Sequence, residues 1–455
     1  MKKIYLLSFV LLISAKVFAT HNISGEISFN HVTGLNYEVD ITTYTKASSV
    51  VDHPILILFY GDGTTDSLPR INGGGNGVIV APGVRQNIYS GAHLYPGTGT
   101  YIIHFEDLNR DGGIVNIPNS INTALYTEAQ LVINSAGSYN SSARFLQIPI
   151  INVIDNSPLT HNVTAYDPDG DCLTFELVSC KGAFGQPIPG YWLPNFVSID
   201  SINGEMTWTS PAMTGLYSFA VKVNESRNGV LIGYVIRDFQ ITVLPPPAFQ
   251  FYFSGNNAWQ TDINGNYSYT LNAGSTLNLN LSYTDSFVSP IDLNAYGEAF
   301  ALTNPPVFSK TISIASISSM FSWNVTAANV RSAPYIVTFR GASDNINNDL
   351  SLLIYVVDAN TVPCSYTTSI NETNQFAEGI KIFPNPSPGI FSITGLERGS
   401  INHLLIYDLT GRLVKNITLE NRHNIIDASD ISDGFFIFEL RDEKSVLMNG
   451  KLILK

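Results

Sequence analysis

Apolar and polar residues alternate with a period of two along most of this chain. In "NYEVDITTYT", Tyr37, Val39 and Ile41 fall on one face and Glu38, Asp40 and Thr42 on the other. In "YSFAVKV" the apolar set is Tyr217, Phe219, Val221 and Val223. In "TLNLNLSY" it is Leu277, Leu279, Leu281 and Tyr283, set against Asn278, Asn280 and Ser282. Such runs predict half-buried strands. No stretch of 12 or more residues keeps a helical period after the first 19, and 35 Gly and 23 Pro punctuate the chain. The pattern predicts an all-β protein of tandem β-sandwiches, immunoglobulin-like in kind.

The start reads differently. Lys2 and Lys3 precede an apolar run from Ile4 to Ala15, and Val17-Phe18-Ala19 follows. This predicts a signal peptide over residues 1–19, cut after Ala19. The run is shorter than the roughly 20 apolar residues of a membrane span. Punctuation suggests the later boundaries. Pro245, Pro246 and Pro247 read as a stiff linker, and the polar, aperiodic Thr361 to Gln375 as a second one. A softer break lies near Asp155 to His161. The expected division is residues 20–155, a β-rich domain; 156–244, an immunoglobulin-like or cadherin-like sandwich; 245–360, a second immunoglobulin-like sandwich; a linker over 361–377; and a terminal domain over 378–455. The two middle segments read as copies of one unit. "GEMTWTSPAMTGLYSFAVKV" places Trp208 ahead of Tyr217, and "SMFSWNVTAANVRSAPYIVTF" places Trp323 ahead of Tyr335. Core packing is the expected role of both tryptophans.

Composition narrows the function. Removing 19 residues from 455 leaves 436, enough for three or four domains at roughly 100–150 residues each. Charged residues make up 13%, against about 25% in typical soluble proteins. The net charge of −13 is spread along the chain and excludes nucleic acid as a partner, because phosphate binding needs clustered Lys and Arg. Three cysteines, Cys172, Cys180 and Cys364, cannot form a disulfide scaffold. Cys172 and Cys180 flank one predicted strand, about 26 Å apart at 3.3 Å per residue, and a bond between them is excluded. The odd count leaves at least one thiol unpaired in the monomer.

The sharpest polar cluster is "AYDPDGDCLTFEL", in which Asp167, Asp169 and Asp171 alternate. Three carboxylates so close supply the hard oxygen ligands that Ca²⁺ prefers. The plainer reading is a turn in which Asp caps backbone amides. The spacing is not that of an EF-hand, since Gly170 falls at the fourth position and Val178 at the twelfth. "DLNRDGGIVNIP" fits the first half of a calcium loop with Asp107, Asn109, Asp111 and Gly112, but its twelfth position is Pro118. No H-E-x-x-H or G-x-S-x-G motif occurs, and the expectation is a protein with no catalytic residues and no cofactor other than calcium.

The last segment carries four motifs in order. "IFPNPSPGIFSITG" holds Pro384, Asn385, Pro386 and Gly389; "LLIYDLTGRLV" holds Asp408, Gly411 and Arg412; "DGFFIFEL" opens with Gly434 and Phe435; and Lys455 ends the chain. Together they closely resemble the type A C-terminal sorting domain of the type IX secretion system, with Phe436 where that family often has Tyr. The resemblance implies that this domain engages the type IX machinery, carries the folded protein across the outer membrane, and is often cleaved and replaced by a surface anchor. Ile23 to Val243 resembles, more loosely, the amino-terminal region of large surface proteins associated with gliding motility. That implies surface display and adhesion. The expected function is a non-catalytic, secreted or surface-displayed binding protein whose ligand is an extracellular protein or a glycan. The alternative is an extracellular hydrolase or carbohydrate-binding protein with β-sandwich accessory domains.

Overall fold

The computed structural model describes residues 22–49, 52–108, 110–134, 139–209, 211, 213–245, 251–255, 260–262, 265–285, 291–313, 316–343, 346–364, 381–383, 387, 389–394, 402–407, 413–419, 423–432, 434–441 and 446–454. The signal-peptide expectation over residues 1–19 lies outside these residues. Among the described residues every regular element is a strand or a 3₁₀ turn of three or four residues. The chain forms two compact units that divide between Tyr366 and Thr367.

The alternation in sequence becomes alternation in burial. Tyr37, Val39 and Ile41 are fully buried while Glu38 is exposed. Tyr217, Phe219, Val221 and Val223 are buried, as are Leu277, Leu279, Leu281 and Tyr283. Burying a side chain of this size contributes about 1.5–3 kcal/mol, so these stripes fix which face of each strand turns inward.

One long strand organises the first part of the body. Val230–Leu244 has 15 residues. Its first half pairs with Leu125–Ile133 and with Asn22–Thr33, at Gly233 opposite Leu131 and Gly25 opposite Asp238. Its second half pairs in parallel with Ile151–Ile154, and Gly215–Arg227 runs antiparallel along nearly all of it. Twelve strands thus share one sheet. The expected boundary between residues 155 and 156 falls inside this sheet, and one apolar core runs from Phe29 and Val39 to Trp208 and Phe239. The physical reason is length: at about 3.3 Å per residue, this strand is long enough to serve two neighbouring groups of strands at once. Two buried ion pairs reinforce the join. Arg110 grips both oxygens of Asp238 at 2.8 Å, and Arg237 pairs with Glu26.

The later strands form a separate sandwich. One sheet runs Phe251–Gly255, Thr276–Asp285, Ser316–Asn324, Val307–Ile312, and the other Ser268–Asn272, Ile346–Val357, Tyr335–Ser343, Ile291–Tyr296. Leu277, Leu279 and Leu281 of the first sheet meet Val337, Phe339, Leu352 and Ile354 of the second in one core. The duplicated sequence pattern has a structural counterpart. Trp208 meets Tyr217 edge to face at 5.0 Å, and Trp323 meets Tyr335 at 4.9 Å. In each copy the closing strand pairs antiparallel with the Tyr strand and parallel with an early strand.

The two copies are not insulated from each other. Ile336 and Leu353, whose neighbours Val337 and Ile354 face the second core, belong to the first core instead. Strand periodicity explains this, since successive side chains point to opposite faces. Between the copies lies a buried polar seam. Arg340 donates to both oxygens of Asp349 at 2.8 Å, and His161 Nδ1 lies 3.1 Å from Asp349 Oδ2. The amide of Asn162 donates to the same carboxylate oxygen at 2.9 Å, and Thr164 Oγ1 donates to Thr338 Oγ1 at 2.9 Å. Burial alone would raise the Asp349 carboxyl, but the Arg340 guanidinium and His161 hold it well below the usual carboxylate range. Cys172 is disulfide-bonded to Cys364, 192 residues away, with Cα atoms 5.8 Å apart, and Cys180 is free and buried.

The second unit is a small sandwich of its own. Lys381–Phe383, Ile390–Thr394 and His423–Asp427 form one sheet; Leu413–Leu419, Asn402–Tyr407, Gly434–Arg441 and Val446–Leu454 form the other. Phe391, Ile393, Leu404, Ile406, Phe438, Leu440 and Leu452 are among its buried core.

The polar seam generates a prediction. Asp349→Ala would leave Arg340 buried without its counter-charge, a change that typically costs about 3–5 kcal/mol. In calorimetry of residues 20–366, we expect one transition that moves down as a whole. Two transitions with only one displaced would show that the copies hold themselves together separately.

Candidate functional site

The Asp167–Asp171 turn sits between the short strand Ala165–Tyr166 and the strand Cys172–Val178. Asp167 Oδ1 accepts the amides of Asp169 and Asp171, both at 2.9 Å. Gly170 has a φ of +79° with open space around it, the conformation that lets the chain reverse there. So far this is a capped turn. The remaining geometry goes further. Ligand oxygens of Asp167, Asp169 and Asp171 lie within 4.8 Å of one another. Asp167 is buried, and its Oδ2 has no hydrogen-bond partner. A buried carboxylate oxygen left unpaired carries a large desolvation cost.

A fourth carboxylate stands behind these three. Glu225, on Gly215–Arg227, is fully buried and accepts the amide of Ala143 at 2.8 Å and the side-chain amide of Asn140. Burial pushes Glu225 up to about 8, with the charge of Asp167 adding to the effect. Burial likewise pushes Asp167 up to about 7, with Asp171 and Asp169 adding to it. Arg227 supplies one opposing charge, donating to the two oxygens of Asp171 at 2.7 and 2.5 Å and reaching Asp169 at 3.5 Å. Four carboxylates against one guanidinium leave a net −3 when all are ionised. The donor set therefore fits a hard divalent cation, held by Asp167, Asp169 and Asp171. Since Arg227 already holds Asp171, a cation would share that carboxylate with the guanidinium. The chemistry it would supply is charge neutralisation.

The sequence pointed to Asp167, Asp169 and Asp171, and the structure brings all three together. Glu225 escaped that reading because it occupies an ordinary alternating strand. The half-loop at Asp107 behaves otherwise. Asp107 pairs with His53 at 3.0 Å and Asp111 with Lys46 at 2.6 Å, so their charges are spent on separate partners.

A second candidate feature is a cleft of about 550 Å³ between the segments 118–124 and 182–189. Its lining is neutral, including Asn119, Asn122, Thr123 and Gln186.

In the terminal unit, Gly389 and Gly434 lie within the described residues. Pro384, Asn385, Pro386, Asp408, Gly411, Arg412 and Lys455 lie outside them. Gly389 has a φ of +96°, and a Cβ there would come 3.1 Å from Ser429 Cα, so only glycine suits the position. Its carbonyl accepts the amide of Ala428 at 2.7 Å. Ser387, one residue after the Pro-Asn-Pro motif, bridges in parallel to Leu454. Ser387 is therefore a neighbour of the strand Val446–Leu454.

Residues 381–455 match the model of the secretion system C-terminal sorting domain. No match was found among curated protein sequences. Among solved structures, the chain is similar to titin immunoglobulin tandem domains at 12% identity, with 48% of this chain and 99% of that one covered and a TM-score of 0.17. The eight N-terminal immunoglobulin domains of Down Syndrome Cell Adhesion Molecule match at 9% identity over 94% of this chain and 49% of that one, with a TM-score of 0.18. Immunoglobulin domains from the complex of Dpr2 with DIP-Theta match at 9% identity over 73% and 99%, with a TM-score of 0.16. At such scores these likenesses carry no functional argument, and the description as tandem sandwiches rests on the sheets themselves.

The raised carboxyls at Asp167 and Glu225 fix the sign of a pH effect. The folded state holds protons that the unfolded state releases, so without a cation their contribution to stability is present near pH 4 and is lost as pH rises toward 8. A cation on the ionised cluster opposes that loss by mass action, about 2.7 kcal/mol at a hundredfold excess over Kd. We expect millimolar Ca²⁺ to raise the Tm more at pH 8 than at pH 5, and Asp167→Asn to abolish the difference. Thermal melts in EDTA and in CaCl₂ provide the check, and an unmoved Tm at pH 8 would return the cluster to a plain turn.

Proposed function

We propose that this chain is a non-catalytic binding protein exported across the outer membrane by the type IX secretion machinery and presented at or beyond the cell surface. The observation that carries the reading is the terminal sorting domain. Residues 381–455 match that family, and the unit has its own two sheets and its own core. Transport of a folded cargo calls for a handle that folds without borrowing core from what it carries. Cleavage in the segment ahead of it, followed by attachment to a surface anchor, belongs to the same reading.

The body suits a binding role in an exposed setting. Its sandwiches are joined by buried polar contacts and closed by a disulfide, a bond characteristic of oxidising compartments. Calcium at Asp167, Asp169 and Asp171 would stiffen the same region, and the orphaned Asp167 Oδ2 supports that assignment. The resemblance of Ile23 to Val243 to gliding-associated surface proteins points to adhesion as the purpose of display.

Deleting residues 378–455 in the native host tests the export step. We expect the truncated protein to stay in the periplasm, protected from protease added to intact cells, while the full chain is digested or found in the medium. A truncated protein that still reaches the outside would remove the basis of the proposal.

A further inference from the structure

Asp167 and Asp171 line a cavity of about 20 Å³. That is room for a single ion or water, since a water needs roughly 10–15 Å³. Asp167 brings to it a carboxylate whose Oδ2 has no hydrogen-bond partner. Asp169 is not in the lining, but its ligand oxygen lies within 4.8 Å of those of the other two. The opposite wall belongs to the second copy, where Arg331, Ala333, Pro334 and Ile336 form it. The cavity beside the acidic turn therefore spans the two copies.

The opposite wall is braced, and its charge is compensated. Arg331 Nε donates to Ala333 O and Arg331 Nη2 to Pro334 O, both at 3.0 Å. The guanidinium lies 3.7 Å from the centre of the Tyr335 ring, and its Nη1 pairs with Glu298 Oε2 at 2.7 Å. A cation beside Asp167 meets no unpaired positive charge from this side.

The Cys172–Cys364 bond ties the two walls together. Cys172 follows Asp171 directly, and its strand partner Ser226 precedes Arg227, which holds Asp171. Cys364 lies beyond Ile346–Val357, the closing strand of the second copy, and its amide donates to Ser332 O at 3.1 Å. Ser332 stands between the lining residues Arg331 and Ala333. The bond thus runs from the carboxylate side of one cavity to its opposite wall. Holding that wall in place excludes water, which strengthens the attraction between a cation and the carboxylates. It also leaves less freedom to be lost on binding.

We infer that the Cys172–Cys364 disulfide is the latch of the cation site, which reaches its full affinity only with the bond closed. The inference rests on the cation reading of Asp167, Asp169 and Asp171 and adds its regulation. Closing the bond takes two electrons and two protons from the two thiols, and a disulfide of the oxidising compartment accepts them by exchange. The coupling is reciprocal. The factor by which the closed bond tightens the cation is the factor by which the cation opposes reduction of the bond.

Competition against a chromophoric Ca²⁺ chelator tests the first half on the purified chain, residues 20–455. The oxidised chain should bind Ca²⁺ at least tenfold more tightly than the double variant Cys172→Ser, Cys364→Ser. Equal affinities overturn the latch and leave the cation reading standing, whereas no binding by either form removes both. The unsubstituted chain supplies the second half, which holds even where the double variant folds poorly. Dithiothreitol reduces the bond to two thiols and itself closes to a cyclic disulfide, and labelling of Cys172 and Cys364 reads the equilibrium. The ratio of reduced to oxidised dithiothreitol at half reduction should be at least tenfold higher in millimolar Ca²⁺ than in EDTA, and Asp167→Asn should lose the difference. A ratio that Ca²⁺ leaves unchanged overturns the inference. So does a Ca²⁺ effect that persists in Asp167→Asn, since the ion would then act from another place.

Discussion

The Asp349 carboxylate is buried with one oxygen on Arg340 Nε and the other shared among Arg340 Nη2, the Asn162 amide and His161. A buried charge without partners is expensive, and one with this many holds its neighbours in place. Because its partners come from the strand Leu159–Asn162 and from the hairpin of Tyr335–Ser343 with Ile346–Val357, it sets the register of one sandwich against the other. Asn162 extends the constraint, its side-chain amide reaching Ser351 Oγ at 2.9 Å and Asn203 O at 2.7 Å. The strand that carries His161 and Asn162 pairs with the strand of Trp208, so the first core inherits its alignment from this ionic contact. Hydrophobic burial alone would leave two apolar sheet faces free to slide, since burial has no direction.

Much of this was legible in the sequence, and the reasons for the remainder are specific. Strand faces follow from a period of two, and so Tyr37, Leu277 and their neighbours lie where alternation puts them. The Trp and Tyr pairs were legible because a duplicated pattern signals a duplicated core. The join across residue 155 was not, because a strand that serves two groups of partners looks in sequence like any other strand. The contact between the copies was hidden for a related reason. Ile336 and Leu353 fall out of phase with their own core stripe, and a single apolar residue on the outer face is indistinguishable from a surface residue until its cover is known. Cys172 could be denied Cys180 on distance alone, yet a partner 192 residues away lies beyond any local geometry. At the acidic turn, the alternating aspartates were visible and Glu225 was not, since its burial depends on the fold around it.

The terminal unit shows how much chemistry a delivery domain needs and how little it shares. Gly389 adopts a backbone that side chains resist, its carbonyl holds Ala428, and Ser387 bridges to Leu454. Ser387 and the strand Val446–Leu454 thereby become adjacent, although they are separated by most of the domain in sequence. Two short sheets then suffice for a core of Phe and Leu residues.

Two devices meet within six residues of the body. Asp167 to Asp171 gathers negative charge, and Cys172 immediately after it bonds Cys364, just ahead of the segment that leads to the sorting domain. Each depends on surroundings rather than on sequence alone. A disulfide closing so long a loop adds roughly 2–4 kcal/mol in an oxidising setting and nothing in a reducing one. A buried acidic cluster with a net negative charge is tolerated by holding protons or by holding a cation, and extracellular calcium modules work at about 10⁻⁴–10⁻³ M. The body's stability is therefore coupled to the redox state and pH of its surroundings. The disulfide and the acidic turn thus share one dependence: the Cys172–Cys364 bond needs an oxidising solvent, and the charge gathered at Asp167, Asp169 and Asp171 is relieved by protons or by a cation.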